Sequence, residues 1–141
     1  GGSAADCQHI AGEFVGRFLR ERRPLPAVAF STDTSVITAI GNDYSFDEIF
    51  SKQAQALVKQ NDILWAFSTS GNSKNVIAAA KVAKKKGAAV IAFAGKAGSK
   101  LEAIADVCLC AEAENSFGVQ QIHQIAYHLI CDLVERAVCK E

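Results

Sequence analysis

The chain has 141 residues, enough for one domain with a sizeable hydrophobic core. Half of the residues are hydrophobic and 21% are charged, a composition typical of globular rather than disordered proteins. Fifteen basic and fifteen acidic residues cancel, so no net field attracts nucleic acid or an anionic membrane surface. We therefore expect neither a nucleic acid nor a membrane as a partner.

The five cysteines have no regular spacing, and none forms a Cys-x-x-Cys pair. Reduced thiols in a cytoplasmic protein fit this pattern better than a disulfide framework does. No apolar stretch of the printed sequence reaches the roughly 18 residues that cross a bilayer. The sequence therefore predicts a cytoplasmic protein.

Apolar periodicity predicts helices that alternate with short strands. The predicted helices cover residues 4–22, 47–59, 72–86, 100–105 and 119–138, with a helical turn at 34–40. The predicted strands cover residues 27–30, 62–67, 88–94 and 107–110. Strands that are apolar throughout and separated by helices indicate a parallel sheet covered on both faces. Because no repeat or linker divides the chain, we expect one domain over residues 1–141.

Ligands in such folds bind where the strands end. Polar turns follow three predicted strands, at residues 31–34, 68–73 and 95–98. Gly1-Gly2-Ser3 would be a fourth such turn if a strand preceded it. Since the chain opens on this loop-like segment and contains no Met, we expect further residues upstream of Gly1.

The turn at residues 68–73, Ser-Thr-Ser-Gly-Asn-Ser, joins a predicted strand to a predicted helix. Free backbone N–H groups and the positive end of the helix dipole favour a phosphate there. The turn contains no Lys or Arg, so it is not the Gly-Lys-Ser/Thr loop of nucleotide hydrolases, and we expect no nucleotide cofactor. An ordinary polar turn with a helix cap is the alternative.

Polar residues on the first and last helices are candidates for chemistry. His9 and Glu13 share a helix face and could act as acid and base or bind a metal; a surface pair is the alternative. Gln120 and His128 lie away from the apolar residues of the last helix, facing either solvent or a site between subunits. His123 lies nearer the apolar side and is expected to be structural. Residues 129–134 are apolar almost all round, which suggests burial against another subunit.

Taken together, these motifs resemble the sugar isomerase (SIS domain) family, and within it the isomerases of phosphorylated heptoses. The matching elements are, in order, Gly1-Gly2-Ser3, His9 with Glu13, residues 31–34, 41–43 and 68–73, and Gln120 with His128. The resemblance implies a flavodoxin-like, three-layer αβα sandwich with a central parallel sheet, whose first helix and strand lie upstream of Gly1. It also implies a homotetramer with active sites shared between subunits.

The resemblance assigns roles to individual residues. Glu13 would be the catalytic base and His128 its acid–base partner. The phosphosugar would be bound by Gly1, Gly2, Ser3, Glu13, Asn42, Asp43, Ser68, Thr69, Ser70, Ser73 and Gln120, with the phosphate on the turn at 68–73. Zinc, one ion per subunit, would be held by His9, Glu13, Gln120 and His128.

The implied activity converts sedoheptulose 7-phosphate to D-glycero-D-manno-heptose 7-phosphate through an enediol, in bacterial-type lipopolysaccharide or S-layer heptose biosynthesis. The chain departs from the family at Ser116-Phe117-Gly118, where relatives often carry a polar and basic pair; this bears on the choice of substrate. The alternatives are a non-catalytic relative that binds a phosphosugar or a replication initiator, and an isomerase of another phosphosugar. The presence of both Glu13 and His128 favours an enzyme.

Overall fold

The computed structural model of the chain describes residues 1–139. The helices are α1 (Gly2–Val15), α2 (Thr34–Asp43), α3 (Ile49–Leu57), α4 (Lys74–Lys85) and α5 (Ser116–Val138), with a 3-10 turn at Phe46–Glu48 before α3. The strands are β1 (Ile63–Ser68), β2 (Ala89–Ala94) and β3 (Val107–Cys110). Among these helices, none is both long and apolar enough to cross a membrane.

The three strands form a parallel sheet in the order β1-β2-β3. Successive side chains of a strand point to opposite faces, so Ala66 of β1 packs on one helical layer and Phe67 on the other. The α3 and α4 layer packs small residues, including Ala54 and Ala80, against the first face. The α1 and α5 layer covers the second face. The predicted three-layer αβα arrangement with a parallel sheet is therefore confirmed.

The layer formed by α1 and α5 contains the aromatic part of the core. Ile10 of α1 and Tyr127 of α5 pack on Phe67 and Phe93 of the sheet. The ring centroids of Phe67 and Phe93 lie 4.9 Å apart. Buried aromatic side chains remove large apolar areas from water, so this contact fixes α1 and α5 to the same face of the sheet.

The prediction of a helix over residues 4–22 is wrong at its C-terminal end, because α1 stops at Val15. The Arg22 guanidinium donates to the carbonyl oxygens of Glu13 and Phe14, at 2.6 and 2.8 Å. These are last-turn carbonyls, whose N–H partners a longer helix would have supplied. A residue beyond the helix therefore takes over the hydrogen bonds of its last turn.

Two other predicted elements are also absent from the described structure. Residues 27–30 do not form a strand: no described strand pairs with them, and the Phe30 carbonyl accepts instead from Gln53 Nε2 at 2.9 Å. Val28 is 72% exposed. Residues 100–105 form turns rather than a continuous helix. The remaining predicted elements agree with the structure to within about three residues at each end, as expected for fraying element ends.

The buried face of α5 differs from its most apolar face. The side chains turned inward are Val119, His123, Tyr127, Cys131 and Glu135. His123 is fully buried, as expected of a structural histidine, and its Nε2–H donates to the Ala94 carbonyl at the end of β2, at 3.1 Å. Ile125, Leu129 and Leu133 are instead more than 60% exposed in the single chain.

Gly71 lets the turn after β1 pack closely on the segment after β2. It has a φ of +64°, and a Cβ at this position would overlap the Ser99 side chain. Gly98 has a similar φ of +77°, but a Cβ there would meet nothing within 4 Å. Substitutions at the two glycines therefore distinguish the energetic cost of a left-handed backbone, which applies to both, from the cost of a steric clash, which applies only to Gly71.

Replacing these two glycines should destabilise the fold to different degrees. Gly98→Ala should lower the free energy of unfolding by roughly 1–2 kcal/mol through backbone strain alone. Gly71→Ala should lower it by about 1–3 kcal/mol more, because the added methyl group also overpacks the turn. Urea unfolding of both variants measures the difference. Equal losses would show that the turn is free to move away from Ser99.

His123 should make the fold sensitive to mild acid. Burial lowers the pKa of His123 from its ordinary value of 6.5, although the bond to Ala94 opposes this effect. The unfolded chain therefore takes up a proton that the folded chain resists, and stability falls as the pH drops below about 6.5. Urea midpoints of the parent should fall between pH 7 and pH 5 more steeply than those of His123→Gln. Parallel curves for the two proteins would contradict this expectation.

Candidate active site

His9 and Glu13 of α1 and His128 of α5 form one cluster. His9 Nε2–H donates to Glu13 Oε1 at 2.9 Å, and the rings of His9 and His128 lie 5.0 Å apart between centroids. One potential ligand atom from each of the three residues lies within 4.8 Å of the others. All three belong to the same chain, so the fold brings together residues that are far apart in the sequence.

The cluster lies at the surface and is only partly shielded. The Glu13 side chain is 19% exposed, whereas that of its partner His9 is 44% exposed. Arg17, which could have bridged Glu13 one turn later, pairs instead with Glu21 at 3.7 Å. Among residues 1–139, no lysine or arginine side chain lies within ion-pair distance of the Glu13 carboxylate.

Tyr127 lies on the Nδ1 side of His9, and Asp6 lies next to the Tyr127 hydroxyl. The sequence analysis predicted neither residue as part of the site. The Tyr127 hydroxyl lies 3.1 Å from His9 Nδ1 and 3.4 Å from Asp6 Oδ1. Burial, together with the charge of Asp6, raises the pKa of Tyr127 to about 12, so the hydroxyl stays protonated at neutral pH. Burial also raises the pKa of Asp6, against the lowering effects of His123 and Tyr127. The helical spacing of Asp6 and His9 was the signal that could have linked them.

A hydroxyl can donate or accept, so Tyr127 suits both tautomers of His9. When His9 Nε2–H donates to Glu13, the Tyr127 hydroxyl can donate to Nδ1. When Nδ1 carries the proton, it donates to the hydroxyl, which in turn donates to Asp6. The second arrangement leaves the Nε2 lone pair free for a proton or a metal ion.

Phe18, in the loop after α1, covers His128. The two rings stack with centroids 5.4 Å apart and planes 8° from parallel. The Tyr127 ring also lies close to His128, with ring centroids 4.6 Å apart. His128 is therefore in contact with two aromatic rings and half-buried.

The turn at residues 68–73 forms a cluster of hydroxyl groups. Ser68 Oγ lies 2.9 Å from Ser73 Oγ and 3.4 Å from Ser70 Oγ. Ser73 occupies the N-cap position of α4 but makes no side-chain capping bond to that helix. The hydroxyls thus bond to one another, unlike those of an ordinary Ser cap. The Val76 N–H donates to Asn75 Oδ1 at 2.9 Å, so the donors at the start of α4 that suit an anion are the N–H groups before Val76.

A cavity of about 420 Å³ opens beside this turn, within the range of small-molecule sites. It is lined by Thr69, Ser70, Asn72, Gly95, Lys96, Ala113, Glu114, Asn115, Ser116 and Val119. Lys96 and Glu114 bring opposite charges to this cavity, and the sequence pattern did not single out either residue. The next residue along α5 after Ser116 is Phe117, which is 65% exposed.

The glycine segment lies at the start of α1 beside Gln120. A Cβ on Gly2 would lie 2.5 Å from Gln120 Oε1, so the Gln120 amide would have to move if Gly2 carried a side chain. Gly1 is exposed and Ser3 half-buried. Because Gly2 and His9 are seven residues apart on one helix, Gln120 lies roughly 10 Å along α1 from the histidine. The structure places Gln120 beside the glycines and does not bring it into the cluster of His9, Glu13 and His128.

Asn42 and Asp43 are not bonded to the other candidate residues in the described structure. Both are exposed at the end of α2, and Asn42 Nδ2 donates to Asp43 Oδ1 at 2.9 Å. Within residues 1–139, no hydrogen bond or ion pair links them to the turn at 68–73 or to His9, Glu13 and His128. The 3-10 turn that follows them packs against α4, and Asp47 pairs there with Lys74 at 3.7 Å.

Known proteins resemble this chain along nearly its whole length. The sequence model of the SIS domain family matches residues 1–95. A phosphoheptose isomerase from Rhodospirillum rubrum is 49% identical over 139 residues, which are 99% of this chain and 74% of that protein. A phosphoheptose isomerase from Aquifex aeolicus is 49% identical over 140 residues, 99% of this chain and 73% of that protein.

Solved structures give the same result. The phosphoheptose isomerase GmhA from Neisseria gonorrhoeae superposes with a TM-score of 0.90 and 45% sequence identity, over 96% of this chain and 72% of that chain. A phosphoheptose isomerase from Francisella tularensis superposes with a TM-score of 0.91 and 36% identity, over 96% and 73% of the two chains. The family match, the sequence identity and the superposition agree, and the chain belongs to the SIS domain family.

Proposed function

We propose that this protein is an aldose–ketose isomerase that converts sedoheptulose 7-phosphate to D-glycero-D-manno-heptose 7-phosphate. The observation that carries the proposal is the convergence of Glu13, His9 and His128 in a chain 49% identical to phosphoheptose isomerases. The product would serve bacterial-type heptose biosynthesis for lipopolysaccharide or S-layer precursors. A single domain over residues 1–141 and a cytoplasmic location, in keeping with five free thiols, are parts of the same proposal.

The reaction needs an anchored substrate with a base and an acid beside two adjacent carbons. The turn at residues 68–73 would hold the phosphate through its hydroxyls and the N–H groups at the start of α4. Glu13 would remove the C1 proton of the ketose to give an enediol and return a proton to C2 to give the aldose. His128 would move protons between the two oxygens. Asn42, Asp43, Gln120 and the glycines Gly1 and Gly2 with Ser3 would bind the sugar chain.

Zinc fits the donor set of this cluster. Two histidines and one glutamate within 4.8 Å of one another match the three-ligand sets of catalytic zinc sites. Such sites keep the fourth position for water or substrate, and Gln120 would need to approach the cluster to occupy it. Bound zinc would stabilise negative charge on the substrate oxygens. No nucleotide cofactor is part of this proposal.

Self-association would cover the stripe of α5 formed by Ile122, Ile125, Leu129 and Leu133. These side chains are 39–64% exposed in the single chain and recur at helical spacing. An apolar stripe of this length on a single domain is typical of a protein interface. We propose a homotetramer in which α5 packs against α5 of another subunit and which shares its active sites between subunits.

The catalytic roles predict that substitutions separate turnover from binding. Glu13→Gln keeps the side-chain shape but removes the proton acceptor, so kcat should fall by about 10²- to 10⁴-fold with little change in KM. His128→Gln should behave in the same way. Ser73→Ala should mainly raise KM, because a phosphate donor costs roughly 1–3 kcal/mol when lost. Aldose formation from sedoheptulose 7-phosphate, by chelator-treated and by zinc-supplemented enzyme, provides the measurements.

Glu21→Gln is the matched control, because Glu21 is exposed on the loop after α1 and, within residues 1–139, its side chain pairs only with Arg17. It should retain parental kinetics. Near-parental turnover of Glu13→Gln would instead favour a non-catalytic phosphosugar-binding or replication-initiator-binding scaffold. Because Phe117, next to the cavity residue Ser116, stands where the family resemblance implies a polar residue, other phosphosugars should be assayed in parallel. A better one would change the substrate and leave the reaction type intact.

The assembly prediction concerns the exposed α5 stripe. Sedimentation of the parent should give a species of four 15.0-kDa chains. Leu133→Glu places a charge in the proposed interface and should shift the protein to smaller species. Leu57→Glu is the control, because Leu57 is similarly exposed but lies on α3. A monomeric parent, or equal behaviour of the two variants, would rule out an interface through this stripe.

A further inference from the structure

We propose that the buried pair Glu135–Arg22 positions both acid–base residues, Glu13 and His128, and that Glu135 is a positioning residue of the enzyme. The acid–base roles rest on the proposed function, whereas the contacts described next do not depend on it. Neither Glu135 nor Arg22 belongs to the cluster of His9, Glu13 and His128.

Glu135 binds three successive backbone groups of the loop after α1. It is 1% exposed, and its carboxylate accepts from the N–H groups of Phe18, Leu19 and Arg20 at 2.7, 2.8 and 2.9 Å. Burial alone would raise the pKa of Glu135, but these N–H groups and Arg22 lower it below its ordinary value. The carboxylate is therefore ionised at neutral pH and makes charge-assisted hydrogen bonds to a loop without regular structure.

Arg22 extends this contact to the end of α1. Its Nε lies 3.1 Å from Glu135 Oε1, and its side chain is only 4% exposed. The same guanidinium donates to the carbonyl oxygens of Glu13, Phe14 and Gly16 at 2.6, 2.8 and 3.1 Å. The Arg22 guanidinium, which is paired with Glu135 of α5, thus holds the backbone of the helical turn that carries the Glu13 carboxylate.

Phe18 connects Glu135 to His128. The Phe18 N–H bonds to Glu135, and the Phe18 ring stacks on the His128 imidazole with planes 8° from parallel. Glu135 and His128 are seven residues apart on α5, so they lie about two helical turns apart on the same side. The Glu135 carboxylate therefore fixes the position of the Phe18 ring, which covers the proposed acid–base residue His128.

The pair could instead only stabilise the fold, and the two roles differ in what they predict. Residues 16–22 would have many conformations available without these bonds. Small displacements of catalytic groups cost up to about 10²-fold in rate even when the fold survives. Positioning therefore predicts a changed environment of His128 and a lower kcat in a folded variant, whereas stabilisation alone predicts neither.

The test uses proton NMR of the metal-free full chain. A proton above an aromatic face is shifted upfield, so Phe18→Leu should move the His128 imidazole C–H signals downfield. Glu135→Gln should move them in the same direction, while the signals of buried His123 stay in place. A folded Glu135→Gln protein with parental His128 signals would overturn the proposal. If Glu135→Gln does not fold, Arg22→Lys, which keeps the charge and loses the fork of donors, takes its place with the same two outcomes.

Asp106→Asn is the matched control. Asp106 also accepts from a backbone N–H, that of Val90 at 2.7 Å, and pairs with Lys84, but it lies beside β2 and β3 rather than at the site. It should lower stability without moving the His128 signals. In the isomerase assay Glu135→Gln should lose about 10- to 100-fold in kcat with KM nearly unchanged, and Asp106→Asn should not. An inactive parent would contradict the proposed function but leave the NMR result decisive for positioning.

Discussion

The contact between α1 and α5 is the constraint on which the site depends. The two helices run in the same direction over one face of the sheet, so Gly2 meets Gln120 near their starts and His9 meets His128 further along. Ile10 and Tyr127 fix this alignment by packing on Phe67 and Phe93. A shift of one helix by a single turn, about 5.4 Å, would separate Glu13 from His128. The hydrophobic core therefore sets the geometry of the polar site.

The side chains of α5 divide into a polar inward face and an apolar exposed stripe. One helix therefore contributes both to the core and to the polar site. Its inward face carries polar groups with specific partners: His123 on a strand-end carbonyl, Tyr127 on His9 and Asp6, and Glu135 on the loop after α1. Its most apolar stripe remains exposed. Burying polar groups is favourable only when each finds a partner, so these residues specify one register of α5 where a purely apolar face would tolerate several.

The sequence predicted the fold class and most elements because these depend on local patterns. Apolar strands separated by helices indicated the parallel sheet, and spacing placed His9 and Glu13 on one face. The end of α1 was not predictable, because it depends on Arg22 bonding back to the last turn and on Glu135, more than 110 residues away. Residues 27–30 have strand composition but no paired strand in residues 1–139, and composition alone cannot supply a hydrogen-bonding neighbour.

The site was predictable in part for the same reason. His9, Glu13 and His128 were singled out in the sequence and the fold brings them together, and Gln120 lies beside Gly2. The role of Tyr127 was not predicted, because the sequence pattern gives a buried tyrosine on a helix only as a core residue. Only the structure shows its hydroxyl between His9 and Asp6.

The position of the Tyr127 hydroxyl has a chemical consequence. While His9 Nε2–H donates to Glu13, it occupies a carboxylate lone pair that a base would use to accept a proton. When the imidazole proton lies instead on Nδ1 and is donated to the Tyr127 hydroxyl, that lone pair of Glu13 is free. The hydrogen bonding of Glu13 is thus coupled through His9 to the buried Tyr127 hydroxyl.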